Sequence, residues 1–434
     1  MKALVALTLS VAAAAGSRAQ TAPAGPIRAQ AERSIEDLNL VGGSATMPRF
    51  ADTVLGTGSG FRRALYAKGV VVRMNVLPRV SVNALDGPVP ASQQVYIGQR
   101  PTWITGVNPI LTADLRQLGL HDAQLHLGGA WRWTNWNPAG PRTVALSTLY
   151  LYKGWRARRV EVKAGYITND TEFVGIQVGG SLATGAQGVY AVLPFQVGMS
   201  YFPLTAPSLN LRVRGPRGAY VKIGAQRSLD AAGGIATAAR NPGGFRFAPG
   251  GDGLLLINEL GYQRAASATT RQTWVRAGYL RNGTLYTNRA TGRLEAGNYC
   301  GYVLADYQLR PTGAPGSGHG LYVGGTAMMA TSELNAYDRY YEARLYQRAP
   351  FAARPDDQVS LVAAYRGHSP HVTARLAAEG RSFWESSSSV AASYSARVAP
   401  GNYLTLAGTY ARGPAITPRV PDTLTLTATW GLYF

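Results

Sequence analysis

From Gly69 to the last residue, apolar and polar positions alternate with a period of two. Val70, Val72, Met74 and Val76 share one face, with Arg73 and Asn75 on the other. Leu111, Ala113 and Leu115 oppose Asp114 and Arg116, and Val160 and Val162 oppose Arg159, Glu161 and Lys163. Leu209, Leu211 and Val213 oppose Arg212 and Arg214; Val221, Ile223 and Ala225 oppose Lys222. Further on, Val275, Ala277 and Tyr279 oppose Trp274 and Arg276, while Tyr341, Ala343 and Leu345 oppose Glu342 and Arg344. Val359, Leu361, Ala363 and Tyr365 oppose Ser360 and Arg366. Less regular windows cover 149–155, 196–202, 254–263 and 389–398. The chain closes on TLTLTATWGLYF, apolar at every second position and aromatic at Phe434. Such alternation predicts strands with one apolar face. There are about seventeen windows, and because single-chain bacterial barrels carry even strand numbers, the expected count is about sixteen.

Two architectures use alternating strands. A soluble β-sandwich has strands of about five or six residues with polar residues facing out. Here many windows run to about nine or more, the length that crosses a bilayer at a tilt. Aromatics gather at window ends (Trp131, Trp133, Trp136, Tyr166, Tyr279, Tyr340, Trp430), as in the girdles of membrane barrels. After the first nineteen residues no apolar run reaches the length of a spanning helix, about eighteen residues. Only a closed barrel then satisfies the backbone in lipid. The expected fold is all-β: a transmembrane antiparallel barrel over residues 61–434, wide enough at about sixteen strands for a water-filled lumen.

The N-terminus adds a compartment. Lys2, an apolar stretch over 3–15 and the small-x-small step Ser17-Arg18-Ala19 predict a cleaved secretory signal over 1–19. Residues 20–60 are aperiodic and are expected to form a periplasmic extension, with a short helix around 31–37. A single cysteine, Cys300, excludes an intramolecular disulfide and is expected to be a small strand residue. The net charge is +20, and five lysines leave 38 of the 43 basic residues as arginine. These are dispersed singly through β-patterned windows, which argues against nucleic acid and for a pore wall or contact with lipid phosphates. Short turns at 215–218 and 399–402 suit the periplasmic side. Longer connections at 229–252 and 281–297 suit the outer side, and 367–388 is a candidate to fold into the lumen.

Several stretches resemble a known family. They are Gly60-Phe61-Arg62-Arg63-Ala64-Leu65 with Gly69-Val70, YFPLTAPSLNLRVRGPRGAYVKIGA (201–225), GGDGLLLINELGY (250–262, with Glu259) and RPDDQVSLVAAY (354–365). In order and spacing the chain is similar to the carbohydrate-selective porins, the porin B type of Gram-negative outer membranes. Late in the chain it departs from that pattern, at Trp384-Glu385-Ser386-Ser387-Ser388 and at 404–411. The resemblance implies passive, substrate-selective diffusion of sugars, no cofactor, and recognition of Phe434 by the barrel-assembly machinery.

A sugar presents hydroxyls and an apolar ring face. A selective pore therefore needs donors, acceptors and an aromatic, all binding weakly enough to release. The lumen candidates are Arg73, Asp114, Arg116, Arg159, Glu161, Lys163, Arg212, Arg214, Lys222, Glu259, Trp274, Arg276, Glu342, Arg344 and Arg366. Their basic surplus motivates an alternative, an anion-selective or general diffusion pore. Expected partners are sugars or other small hydrophilic solutes, outer-membrane lipid and lipopolysaccharide. A hydrolase barrel would need a Ser/His/acid set. His368-Ser369-Pro370-His371 sits in a loop, and no nucleophile elbow or metal-ligand spacing occurs. A purely structural barrel would carry no current.

Overall fold

The computed structural model describes residues 36, 38, 47–57, 60–139, 141–174 and 192–434. The expected signal, and the expected helix around 31–37 apart from Glu36, lie outside them. Helix α1 (Gly60–Ala67) leads into the first strand at Val70. The barrel staves are β1 (Val70–Val76 continued by Arg79–Asn83), β2 (Thr102–Asp114), β3 (Ala123–Thr134) and β4 (Thr143–Trp155). Then come β5 (Val160–Ile167), β6 (Ala206–Arg214), β7 (Ala219–Arg227) and β8 (Leu254–Arg264). Next are β9 (Thr273–Asn282), β10 (Asn298–Pro311), β11 (Gly320–Ala330) and β12 (Tyr337–Arg348). The circuit ends with β13 (Gln358–His368), β14 (Ser386–Ala399), β15 (Asn402–Arg412) and β16 (Thr423–Tyr433).

Each stave pairs antiparallel with its sequence neighbours, and β16 returns to β1. The two pieces of β1 are one stave. Val70↔Ala113 and Arg79↔Ile104 fall on one register against β2, as Asn75↔Tyr433 and Arg79↔Thr429 do against β16. Pro78, which has no N–H to give the ladder, interrupts it. The barrel therefore has sixteen staves and no open edge.

Sixteen of the predicted windows are staves. The window at 196–202 is not one. Its apolar residues belong to a short helix, Val192–Gln196, and to a turn closed by a Tyr201↔Leu204 bridge. They are apolar because they pack inside the barrel. The outward face carries the apolar residues that alternation assigned to it, among them Leu209, Ile223, Leu361 and Leu406, all exposed. Tyr340, expected in a girdle, is buried inside instead, and its hydroxyl donates to Glu342 (2.6 Å).

One end of the barrel carries short turns and both the β1 start and the β16 end; the other carries the long connections. The connection from β5 to β6, not 367–388, is the one that enters the lumen. Its described parts place Phe173, Val174, Leu193, Val197 and Met199 against inward Leu255, Ile257, Leu280, Cys300, Tyr302 and Leu304. These residues form one apolar cluster inside the barrel. Residues 369–385 carry helix Pro370–Ala378, whose Val372 and Leu376 are buried at the long-loop end.

The ends of the inward loop are pinned by amides. Asn169 Nδ2 donates to Gln226 Oε1 (2.8 Å), and Gln226 Nε2 donates to the Gly198 carbonyl (3.1 Å). Asn282 Nδ2 donates to the Val197 carbonyl (2.6 Å). Gly198 has φ +92°, and a Cβ there would lie 2.6 Å from Asn282 Nδ2, so only glycine fits.

Candidate functional site

The register of β5 to β10 sets a row of charges around the wall. Glu161 pairs with Arg212, Arg212 with Lys222, and Lys222 with Glu259. Beyond Glu259 the row continues through Gly278 to Tyr302. Glu259 is fully buried and is the hub. It accepts from the Tyr220 hydroxyl (2.9 Å) and the Tyr302 hydroxyl (2.8 Å). Lys222 Nζ stands 3.1 Å away and Arg276 Nε 3.9 Å. Trp274 Nε1 donates to the Tyr220 hydroxyl (3.0 Å), and the Arg276 guanidinium lies 3.7 Å from the centre of the Trp274 ring. Glycines make these reaches possible. A Cβ on Gly278 would fall 2.2 Å from Tyr302 Cζ, and one on Gly261 2.1 Å from Tyr220 Cζ, both hard clashes.

Three cations of this wall grip the inward loop. Lys163 Nζ meets the Glu172 carboxylate at 2.6 Å, Lys222 Nζ donates to the Glu172 carbonyl, and Arg276 Nη2 donates to the Val174 carbonyl (3.2 Å). The wall cations thus anchor the described start of the loop, at Glu172 and Val174, to the barrel wall.

A second cluster lies on β10 to β12. Arg344 is fully buried; its Nε and Nη2 meet Asp306 at 2.9 and 2.7 Å, and its Nη1 meets Glu342 at 2.7 Å and Thr326 Oγ1 at 2.9 Å. The fork crosses β11 at Gly324, which pairs with Asp306 on one side and Arg344 on the other. Tyr346 donates to Asp306 (3.1 Å) and stacks on Tyr322 at 4.9 Å.

The candidate residues separate by position. Glu161, Lys163, Arg212, Arg214, Lys222, Glu259, Trp274 and Arg276 come together on the first wall, and Glu342 with Arg344 on the second. Glu161 holds Arg214 (2.9 Å) and accepts from Tyr152 (2.9 Å). Arg73 stands apart, reaching Thr112 Oγ1 (3.4 Å), which in turn meets His126 Nδ1 (3.1 Å). Arg366 lies over the Tyr337 ring at 4.4 Å. Two candidates are corrected. Arg116 lies in the turn Leu115–Leu118, tied to Asp114 at the very end of β2, and Arg159 lies exposed in the turn before β5. Alternation ran on past the true strand ends there. Glu172 and Tyr302 were missed, whereas Tyr220 and Asp306 fall on the polar face by alternation but were not among the candidates. A signal existed at Leu254-Leu255-Leu256-Ile257, which is apolar on both faces and so announces packing inside as well as outside.

A closed sixteen-stranded barrel, narrowed by an inward loop and walled by fixed charges, is a porin. The family model of the carbohydrate-selective porin, OprB family, matches residues 87–405, and the chain belongs to that family. The high-pH structure of Pseudomonas putida OprB is similar at 16% identity and TM-score 0.74, covering 88% of this chain and 98% of that one. The low-pH structure of the same porin aligns over the same shares at 14% identity and TM-score 0.55. Salmonella typhi OmpF in complex with daunomycin aligns at 8% identity and TM-score 0.53, over 85% of this chain and 99% of that one. At these identities the likeness is one of fold. Compared with curated protein sequences, the chain matches none. The protein is a carbohydrate-selective outer-membrane porin, a channel and not an enzyme.

Proposed function

We propose that sugars pass the constriction along the β5–β9 wall, and that its charged residues divide into two roles. The observation that carries this is their exposure. The side chains of Lys222, Glu259 and Arg276 are 11%, 0% and 1% exposed, whereas those of Arg212 and Arg214 are 25% and 45% exposed. A diffusing solute can touch only the second pair. Arg212 and Arg214 offer forked donors to hydroxyls, and Glu161, 13% exposed, orients Arg214. Lys163, Lys222 and Arg276 hold the loop, and Glu259 holds two of them.

Sugar added to a planar bilayer should lower the ion current by occupying this path. Arg212→Gln should weaken that block about tenfold, the worth of one charge-assisted hydrogen bond, with little change in open conductance. Block unchanged in Arg212→Gln would remove Arg212 from the path. The basic surplus favours a second reading, preference for anionic solutes. Lys222 and Arg276 share the single carboxylate of Glu259, which leaves one net positive charge behind the wall. Reversal potentials in a salt gradient decide it: strong anion preference with no sugar block would sink the sugar path.

In this reading residues 1–19 direct export, the short-turn end faces the periplasm, and the described part of the 20–60 extension folds back into that mouth, where Phe50 packs on inward Val71 and the Leu38 carbonyl accepts from Gln124 Nε2 (3.2 Å). Exposed arginines at the long-loop end, such as Arg381 and Arg419, suit the phosphates of lipopolysaccharide. The C-terminus is the expected handle for barrel assembly. Phe434 also closes the seam, where its N–H donates to the Met74 carbonyl (2.8 Å) and its carbonyl accepts from Met74 N–H (3.3 Å). Deleting Phe434 should cut the folded, heat-modifiable fraction in outer membranes several-fold; a normal yield would remove both roles.

A further inference from the structure

A cavity of about 950 Å³ opens at the long-loop end, away from the charged walls. Four connections build it: 228–253, 283–297, 331–336 and 369–385. Its basic residues are Arg289, His371 and Arg375. Arg289 rises from a rigid turn. Asn288 Oδ1 accepts from the N–H groups of Ala290 (2.8 Å) and Thr291 (3.1 Å), and Gly292 N–H donates to the Asn288 carbonyl (2.7 Å). The Arg289 N–H is tied to the Glu333 carbonyl (2.7 Å) of the next connection. Its side-chain Nε is sealed from solvent and has no hydrogen-bond partner among the described residues.

No carboxylate among the described residues pairs with Arg289. Burial and the Arg375 charge beside it both push its pKa below the usual arginine value. Among the described residues Arg375 pairs with the exposed Glu379, 3.5 Å away on its own helix and shared with Arg381. Asp230, also on the cavity, is engaged by Arg240 (2.9 Å) and by the Ala232 N–H (2.8 Å). Glu333, whose carboxylate lies 3.8 Å from His371 Nε2, is the other nearby acid, so among the described residues two guanidiniums face one cavity with a sealed donor and neither acid paired to Arg289 or Arg375. An anion placed there would relieve their repulsion and accept from Arg289.

The remaining lining mixes polar Thr287 and Thr291 with apolar Leu285 and Leu294, matching the hydroxyls and ring face of a sugar. The volume is that of a ligand pocket, about 300–1,000 Å³, and larger than an inorganic ion requires. We infer that this cavity is an entry subsite for anionic carbohydrates, sugars carrying a carboxylate or a phosphate, held by Arg289 and Arg375 before they enter the lumen. The inference rests on the sugar-pore reading, and it adds sidedness and a charge preference.

The test is current block in planar bilayers by gluconate, glucose 6-phosphate, glucose and acetate, each added to one face at constant ionic strength. Wild-type protein should be blocked by gluconate or glucose 6-phosphate from one face at lower concentration than by glucose, and not by acetate. The stronger of the two identifies the preferred anionic group. In Arg289→Gln/Arg375→Gln the half-blocking concentration of the anionic sugars should rise about tenfold or more, with glucose block unchanged. Equal block from both faces, acetate as effective as gluconate, or no change in the double variant would overturn the subsite. Loss of glucose block in wild-type protein would instead strike the pore reading. Should the double variant fold poorly, Arg375→Gln alone, on an exposed helix face, should give a smaller shift of the same sign; no shift would equally overturn it.

Discussion

Glu259→Gln should enlarge the conductance and raise the preference for anions while leaving the barrel assembled. The substitution keeps the shape and an acceptor for one of the two hydroxyls of Tyr220 and Tyr302, but removes the charge that faces Lys222 and Arg276. Breaking a buried pair on one side leaves an uncompensated charge and costs about 3–5 kcal/mol. The loop can relieve that cost, because Lys222 and Arg276 are also its anchors, through the Glu172 and Val174 carbonyls. Once they turn toward water, the loop loses two of the three cationic ties seen among its described residues and loosens from the wall inside the barrel. Single-channel conductance and reversal potential measure both effects. The double variant Glu259→Gln/Lys222→Met removes one of the two cations along with the carboxylate and leaves only Arg276 unpaired, so its anion preference should lie closer to wild type than that of Glu259→Gln alone. Unchanged conductance in the single variant would show that Glu259 does not control the loop.

How much of this was legible in the sequence depends on the distance over which each feature is written. A stave is local. Its period of two falls within ten or so residues, so all sixteen were visible, Val70–Val76 as clearly as Thr423–Tyr433. The false window at 196–202 shows the limit, because apolar residues packed inside a lumen imitate an apolar face turned to lipid. Arg79–Asn83 was missed for the opposite reason, Pro78 having cut the stave into a piece too short to show a period.

Facing was also legible, and partners were not. Arg276 and Lys222 fall on the inward face by alternation alone, but Glu172 and Val174, which they grip, arrive on a loop whose path no local pattern encodes. The glycines are similar. Gly278 and Gly261 look like weak strand residues until register sets Tyr302 and Tyr220 opposite them. Each then proves to be the gap through which a tyrosine reaches Glu259.

The second wall yields a prediction of opposite sign. Arg344→Gln should shift selectivity toward cations, because Asp306 and Glu342 share Arg344 as their common cation. A glutamine can satisfy one of the two carboxylates and neutralise neither. With both left charged in the wall, the expected loss is again about 3–5 kcal/mol. It should appear as a lower temperature of the heat-modifiable band shift. Arg344→Lys should rescue little, since one ammonium cannot make a fork to Asp306 and still reach Glu342 and Thr326. Gly324→Val should reproduce the effect without touching a charge: its Cβ would fall 2.5 Å from Arg344 Nε and 2.9 Å from the Ala305 carbonyl, closing the gap the guanidinium crosses. Glu259→Gln and Arg344→Gln therefore form a matched pair, one leaving surplus cations beside the lumen and the other surplus carboxylates. Reversal potentials that move in opposite directions would locate charge selectivity in these two walls. Shifts of the same sign would mean that loop displacement outweighs local charge.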